Sequence, residues 1–225
     1  MASSKESDYS PVVPQEITGP WSVSASPTDE LLMLRSSPPI ERADAARNRA
    51  VVLDAAAALF RQHGVDAVSM DAIAAAAGVG KGTLFRRFGD KAGLAAALLD
   101  EQERTLQEAI LFGSAPLGPG KPDDDPTPRE RLRAFVVAYL DYLLAHLPLV
   151  RMSETASPGA RYRIGAYRFW HRHVSLLLSG RDDPQADAHI LLAALAAEHV
   201  HAVAAELGHI RVRRAMLDLA DALTA

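Results

Sequence analysis

The sequence contains no cysteine among its 225 residues, which excludes disulfide bonds and cysteine-based zinc sites. No apolar run reaches the roughly 18 uncharged residues that a membrane-spanning helix needs. The first ten residues lack the basic and then apolar segment of a secretory signal. We therefore expect a cytoplasmic protein with no membrane partner. Hydrophobic residues make up 48% of the chain and charged residues 23%, which suits a globular protein with a sizeable core.

A large excess of charge is also missing, because 24 basic residues face 28 acidic ones and the formal net charge is −4. This balance argues against a protein that coats nucleic acid without specificity. The distribution along the chain is uneven. Residues 41–91 hold eight basic and six acidic residues, whereas residues 1–40 hold two and five. Positive charge is thus modestly concentrated in one segment, and a protein that reads DNA needs it on only one face.

Residues 1–40 are rich in serine and proline, a composition that buries too little apolar surface to offset the entropy of ordering. We predict a mostly disordered extension. Residues 29–34 are a short apolar patch within it. The patch either forms a helical turn docked on the body or on a partner, or belongs to the flexible tail, and we favour the tail.

The remainder of the chain predicts an all-α fold of about nine helices, because alanine-rich stretches dominate and no credible strand is present. Gly64 is expected to end a helix, and Ser69 and Asp90 to cap two others. Thr127 to Glu130 form a capping-box pattern with proline at the first helical position. The predicted helices cover residues 44–63, 69–77, 81–88, 90–112, 127–146, a short element from 148, 160–178, 184–207 and the residues after 208.

Residues 69–88 have the pattern of a helix-turn-helix, in which a short support helix, a tight turn and a recognition helix follow one another. Gly78 permits the sharp turn. The apolar positions that hold the two helices together are Ile73, Ala74, Ala77, Val79, Leu84 and Phe88. The outward positions of the recognition helix are Lys81, Thr83, Arg86 and Arg87. On spacing alone, a simple helical corner is the alternative.

Residues 69–91 resemble the TetR/AcrR family of transcriptional regulators. Ser opens the support helix, Ile-Ala and Ala-Gly-Val follow, then come Gly, an aromatic, a basic residue and Phe, and finally Lys and Leu. The similarity extends on both sides of this stretch. Three positions depart from the family pattern. Gly80 stands where Ser is common, which weakens a helix cap. Phe85 replaces a Tyr whose hydroxyl donates to a phosphate, and Arg87 replaces a His and could restore that contact.

The resemblance implies DNA contacts from the recognition helix and its surroundings. The predicted DNA-binding residues are Arg47, Arg49, Ser69, Lys81, Gly82, Thr83, Phe85, Arg86, Arg87 and Lys91. Among them, Arg86 is the candidate base reader, Gly82 allows close backbone approach, and Lys81, Thr83, Arg87 and Lys91 are expected at phosphates, although these roles could exchange. Arg47 and Arg49 either reach flanking phosphates or lie on a solvated face.

In the family, the C-terminal helices enclose a ligand cavity and the last two pair with a second subunit. The candidate pocket residues, for each of which core packing is the alternative, are Phe112, Phe135, Tyr139, Tyr142, Met152, Tyr162, Tyr167 and Trp170. The helix predicted over residues 184–207 is apolar nearly all round. We expect one of its faces to pack on its own domain and another on a partner, with a wholly intramolecular core as the alternative.

A metal hypothesis arises from two Glu-x-x-His pairs, Glu198 with His201 and Glu206 with His209, because di-iron helix bundles use this pattern. In those bundles each pair sits beside a further inward Glu on another helix. No other helix here offers a Glu at evident inner spacing. We therefore expect no metal and no cofactor.

Taken together, these features predict an all-α homodimer in three parts: a disordered extension over 1–40, a three-helix DNA-binding domain over 41–91, and a helical-bundle ligand-binding and dimerisation domain over 92–225. The resemblance implies a bacterial repressor, not an enzyme. It would bind a palindromic operator in double-stranded DNA and be released by a small apolar or aromatic effector; activation stays open. The rival hypotheses are a helical ligand-binding or metal-dependent enzyme with an incidental helix-turn-helix, and a helical adaptor that holds a partner through residues 29–34.

Overall fold

Helices alone, with no strand, make up the residues that the structure, a computed structural model, describes: 27–35, 43–163 and 165–225. The all-α prediction is confirmed. The helices are α1 (Pro27–Leu34), α2 (Ala43–His63), α3 (Met70–Ala76), α4 (Lys81–Phe88), α5 (Lys91–Phe112), α6 (Pro128–Ala145), α7 (Leu147–Thr155), α8 (Ala160–Arg163), α9 (Gly165–Leu177), α10 (Pro184–Ala194), α11 (Ala197–Leu207) and α12 (His209–Leu223).

The predicted helix caps are present. The Ser69 hydroxyl accepts from the N–H of Ala72 at 3.1 Å, and the Asp90 carboxylate accepts from the N–H of Gly93 at 2.8 Å. The capping box before α6 is complete, with the N–H of Thr127 donating to the Glu130 carboxylate at 2.8 Å. These side chains satisfy N–H groups that lack a partner within their own helix, which fixes where α3, α5 and α6 begin.

The helix predicted over residues 184–207 is instead two helices, α10 and α11, which meet at 51°. Ala196 has an extended backbone, with φ −64° and ψ 139°. The N–H of Ala197 donates to the Glu154 carboxylate at 2.8 Å. A side chain from α7 therefore provides the acceptor that the start of α11 needs. The helix predicted over residues 160–178 corresponds to α8 and α9, and residue 164 between them lies outside the described residues.

Two apolar clusters hold the fold together, and α5 contributes to both. The smaller cluster packs α2, α3 and α4 around residues such as Phe60, Ile73 and Leu84. The larger cluster fills the space between α5, α6, α9, α10, α11 and α12. Leu94 of α5 belongs to the smaller cluster and Leu99, about one turn on, to the larger. A continuous helix therefore runs from the helix-turn-helix into the bundle.

Helix α1 lies against the bundle, mainly on α9 and also on α5. Its Leu31 is buried in the larger cluster, and two ion pairs flank it, Arg172 with Glu30 and Arg35 with Glu108. For residues 27–34 the helical, docked alternative is thus the one observed, and the favoured flexible tail is wrong there. The physical reason is that the bundle offers an apolar partner for the patch. The rest of the predicted extension over 1–40 lies outside the described residues.

None of the helices in the described ranges is by itself both long and apolar enough to cross a membrane. Two bent pairs reach the required length and composition only when taken together: α6 with α7, at 92°, and α10 with α11, at 51°.

Candidate functional site

The turn between α3 and α4 has the geometry that the helix-turn-helix pattern requires. Gly78 has a φ of +64°, in the left-handed region where a residue with a Cβ is strained. The N–H of Val79 then donates to the carbonyl of Ala74 at 3.0 Å, which closes the end of α3. Val79 is partly buried against the smaller cluster, as predicted for a residue between the two helices.

Helix α4 presents one apolar face inward and one polar face outward. Leu84 is only 1% exposed, and Phe88 packs against the same cluster. Gly80 precedes α4 without a side-chain cap, in line with the departure noted in the sequence. The exposed side of α4 consists of Lys81, Gly82, Thr83, Phe85 and Arg86, with Arg87 half-buried beside it. Six of the ten predicted DNA-binding residues therefore belong to one short helix.

The exposed face of α4 is open to a ligand. Lys81 pairs with Asp71 at 2.7 Å, but both side chains are more than half exposed, so water and salt weaken this pair strongly. The ammonium also lies 5.8 Å from the centre of the Phe85 ring. A Cβ added to Gly82 would meet no atom within 4 Å, so the backbone there borders open space. Lys81 and the backbone at Gly82 can therefore contact a polyanion without breaking a buried ion pair.

Lys91 has a different position from the one predicted. Its ammonium donates to three backbone carbonyls, those of Val65 at 2.9 Å, Asp66 at 3.2 Å and Val68 at 3.0 Å. These carbonyls belong to the turn between α2 and α3. Lys91 therefore fastens the start of α5 to that turn, and a phosphate contact would have to compete with three existing hydrogen bonds. These hydrogen bonds favour a structural role for Lys91, and its phosphate contact stays a prediction.

The other predicted DNA-binding residues lie outside α4. Ser69 is exposed and caps α3. Arg49 pairs with Asp100 of α5 at 2.9 Å, and this contact joins α2 to the long helix that enters the bundle. Arg47 is exposed on α2. Burial raises the pKa of Asp100, while Arg49 and Arg104 act in the opposite direction.

A small, partly open cavity lies within the bundle, between α5, α6, α7, α8 and α9. Four of the predicted pocket residues line it: Tyr139, Tyr142, Tyr167 and Trp170. Three charged residues that the sequence analysis missed line it too: Glu103, Glu154 and Arg161. The space inside amounts to about 20 Å³, which is about the room that one water molecule needs.

The remaining predicted pocket residues do not line this cavity. Phe135 is fully buried in the larger cluster, which is the core-packing alternative. Phe112 and Tyr162 are 60% and 54% exposed. Met152 instead borders an open cleft of about 480 Å³ between the bundle and the helix-turn-helix, together with Lys91. Aromatic or sulfur-containing character alone therefore did not identify the lining.

Arg161 and Glu154 form a buried ion pair whose side chains are each less than a tenth exposed. The pair is also hydrogen-bonded to its surroundings. Arg161 donates to the carbonyl of Leu192 at 2.7 Å, and the second Glu154 oxygen accepts from Ala197 at 2.8 Å. Opposite charge and hydrogen bonds of this kind offset the loss of hydration that burial of a charged group causes. The pair joins α7 and α8 to the ends of α10 and α11.

The buried carboxyl group of Glu103 lacks an opposite charge of this kind among the described residues. It is 9% exposed, and among the described residues its hydrogen-bond donor is the Tyr142 hydroxyl, at 3.1 Å, with no ion pair. Burial raises the pKa of Glu103 to about 7, the Asp100 charge adds to the rise, and the Tyr142 hydrogen bond opposes it. Burial likewise raises the pKa of Tyr142. The cavity therefore holds a carboxyl group that changes charge near neutral pH.

Several apolar side chains of the last three helices are exposed. Ile190 of α10 and Ile210 of α12 are 59% and 86% exposed, and Ala202 and Ala205 of α11 are exposed between them in sequence. Ala197, by contrast, is fully buried in its own core. The predicted helix over 184–207 thus has both an internal face and an outward face.

The two Glu-x-x-His pairs do not form a cluster. Within the described ranges, no three metal-ligating side chains gather. Glu198 pairs with Arg151 at 2.7 Å, and His201 borders the cleft beside the helix-turn-helix.

Comparison with known proteins matches the helix-turn-helix by sequence and the whole bundle by fold. Residues 52–98 match the family described as bacterial regulatory proteins, tetR family. A TetR transcriptional regulator from a Rhodococcus species superposes with a TM-score of 0.57 at 19% identity, over 82% of this chain and 98% of that one. A TetR-family transcriptional regulator from Pectobacterium atrosepticum gives 0.56 at 24% identity, over 81% and 95%.

A third similar structure is NalD, described as the secondary repressor of the MexAB-OprM multidrug efflux pump in Pseudomonas aeruginosa. It has a TM-score of 0.50 at 20% identity and covers 78% of this chain and 95% of that one. At these identities the structural similarity establishes the fold. No protein of curated function matches the sequence significantly.

Proposed function

We propose that this chain, whose residues 52–98 match the family of bacterial regulatory proteins of the tetR type, is a ligand-responsive transcriptional repressor. It binds a palindromic operator as a homodimer and leaves it when a small molecule occupies the bundle. It acts in the bacterial cytoplasm and catalyses no reaction. One structurally similar protein is described as a repressor, which supports this direction of control.

The observation that carries the proposal is the exposed cationic face of α4, held by a buried apolar face. A recognition helix enters the major groove with its outer side chains toward base edges and phosphates. Arg86 is exposed there, and a guanidinium reads guanine through two hydrogen bonds. Lys81, Thr83 and Arg87 provide phosphate contacts. The backbone at Gly82 allows the helix to approach the duplex closely.

The exposed apolar side chains of α10, α11 and α12 support the proposed dimer, because a second copy of the chain could cover them. Two recognition helices must lie about 34–36 Å apart to occupy successive major grooves of one operator. An effector that favours a different separation lowers DNA affinity by the difference in its binding free energy between the two states. Helix α5 is the direct connection, because it is shared by the two apolar clusters.

The test is binding to operator fragments selected from the genomic DNA of the source organism. Arg86→Ala should weaken binding by about 1–3 kcal/mol, roughly 5- to 150-fold, and relax the preference for one base. Arg87→Ala should weaken binding to all sequences alike and flatten the salt dependence. Arg168→Ala, an exposed arginine on α9, is the matched control and should bind like the parent protein.

Both α4 substitutions are exposed or half-buried, so the free energy of unfolding should change little. Parent-like affinity and salt dependence in both Arg86→Ala and Arg87→Ala would show that α4 is not the recognition helix. The recovered fragments also identify neighbouring genes.

A further inference from the structure

The bundle cavity combines one uncompensated carboxyl group with aromatic walls. We propose that it binds a small organic cation, in which a protonated amine donates to Glu103 and a flat apolar part packs on the rings of Tyr139, Tyr142 and Trp170. This inference rests on the proposed function, because it names the chemical class of the effector.

The charge in the cavity is unevenly distributed. Arg161 and Glu154 neutralise each other, and each also forms a hydrogen bond with a backbone group, Arg161 with the carbonyl of Leu192 and Glu154 with the N–H of Ala197. Glu103 is nine-tenths buried and, in the described part of the chain, accepts one hydrogen bond from a neutral phenol. An ionised carboxylate has about four acceptor sites. A cation is the ligand that supplies both the missing donors and the missing opposite charge.

The walls suit the remainder of such a ligand. Tyr139 meets Tyr142 and Trp170 edge to face, with ring centres 5.9 Å and 6.0 Å apart. The electron-rich faces of these rings attract a cation, and their area packs against an aromatic or aliphatic body. Arg161 already occupies the face of Tyr167, 5.4 Å from its centre. Among the described residues, no cationic side chain lies over the rings of Tyr139, Tyr142 or Trp170.

Access requires a local rearrangement, because the cavity as it stands holds about one water. The side chain of Tyr142 is the one that would move to admit a ligand. It is only partly buried, unlike Tyr139 and Trp170, and its hydroxyl holds the Glu103 carboxyl. An ammonium N–H replaces this hydroxyl as the donor when Tyr142 moves aside. The exchange gives the carboxylate a charged partner in place of a neutral one.

Binding should depend on pH, because the carboxylate form is the one that attracts a cation. Burial raises the pKa of Glu103 to about 7, so affinity rises as the pH passes through neutrality. The titratable and charged groups around it, on its own helix and on the helices packed against it, are Asp100, Tyr139, Tyr142, Glu154, Arg161 and Tyr167.

The experiment compares three probes of similar shape: 2-phenylethylamine, 2-phenylethanol and phenylacetate. Trp170 lines the cavity and reports binding by its fluorescence in the full chain, with Trp21→Phe removing the second tryptophan. The amine should bind about tenfold more tightly than the alcohol or more at about pH 8.5. Its affinity should fall by about tenfold toward pH 5.5, where Glu103 is protonated.

Glu103→Gln should abolish both the preference for the amine and its pH dependence. The helical circular dichroism signal of Glu103→Gln, compared with that of the parent protein, shows whether the glutamine variant is folded. An amine that binds no better than the alcohol, an unchanged preference in Glu103→Gln, or tightest binding of phenylacetate would each overturn the inference. Operator binding without probe is measured in the same samples. Specific DNA binding without amine preference refutes only this inference, whereas amine preference without specific DNA binding refutes only the proposed function.

Discussion

Replacing Glu103 by glutamine should change how the stability of the protein depends on pH. Burial raises the pKa of Glu103 from its ordinary value of 4.5 to about 7. Between these values the unfolded chain has released the proton while the folded chain keeps it. The free energy of unfolding therefore falls as the pH rises through this window, and stays lowered above it. Glutamine mimics the protonated side chain and does not titrate.

The magnitude follows from the two pKa values. A tenfold change in proton affinity is worth about 1.4 kcal/mol, so the ionised carboxylate costs the folded state about 3 kcal/mol above neutrality. Glu103→Gln should therefore be more stable than the parent protein by roughly 3 kcal/mol at about pH 8. At about pH 5 the difference should shrink to about 1 kcal/mol. The hydrogen bond with Tyr142 can persist in the variant, because the amide also has an acceptor oxygen.

Urea denaturation at a series of pH values, followed by the helical circular dichroism signal, measures this difference. Glu101→Gln is the control, because Glu101 lies on the same helix but its side chain is 71% exposed. Its curve should run parallel to that of the parent protein. Parallel curves for Glu103→Gln as well would mean that the carboxyl group is not held in a low-dielectric cavity, and the electrostatic argument for the cavity would fail with it.

Three further outcomes test the structure elsewhere. Gly78→Val should lower the free energy of unfolding by about 1–2 kcal/mol, because valine is strained at the positive φ of this position. Gly78→Asn should lose less stability, because asparagine tolerates a positive φ. Equal melting temperatures for both variants and the parent protein would contradict the left-handed conformation of this turn. Lys91→Met should cost about 1–3 kcal/mol in chemical denaturation by freeing three carbonyls, and an unchanged midpoint would favour the predicted phosphate contact instead. Ala202→Glu, at an exposed position of α11, should give folded monomers in sedimentation at micromolar concentration. Ala197→Glu, at a fully buried position, should instead unfold the bundle. A parent protein that is itself monomeric would refute the proposed dimer.

The boundaries of the DNA-binding helices could be predicted from the sequence because local contacts determine them. Ser69 and Asp90 each cap a backbone group three residues ahead, and Gly78 sets the turn by its own φ. Such signals lie within one helical turn of the boundary that they mark. The same reasoning failed for the helix predicted over residues 184–207. The acceptor at its break is Glu154, which lies 43 residues away in the chain.

Distant partners also explain two other differences between the sequence-based expectations and the structure. Lys91 has the residue type and position of a phosphate contact, but its three acceptors belong to a turn more than 20 residues earlier. The apolar patch at 29–34 has no local reason to order. It becomes a docked helix because Leu31 finds the bundle and Glu30 finds Arg172, 142 residues away. Composition describes what a segment can bury alone, and not what the rest of the fold offers it.

The charge of the cavity lining was the property hardest to predict from the sequence, although the sequence contained one indication of it. Leu99, Leu106 and Ile110 follow a helical stripe on the buried face of α5, and Glu103 interrupts it. A charged residue in such a stripe marks a buried ionisable group. Its meaning still depends on the fold. Three charged side chains line the cavity, and the way they pair determines its net charge. Arg161 is neutralised by Glu154. The carboxyl group of Glu103 therefore remains without an opposite charge, which a cationic ligand could provide.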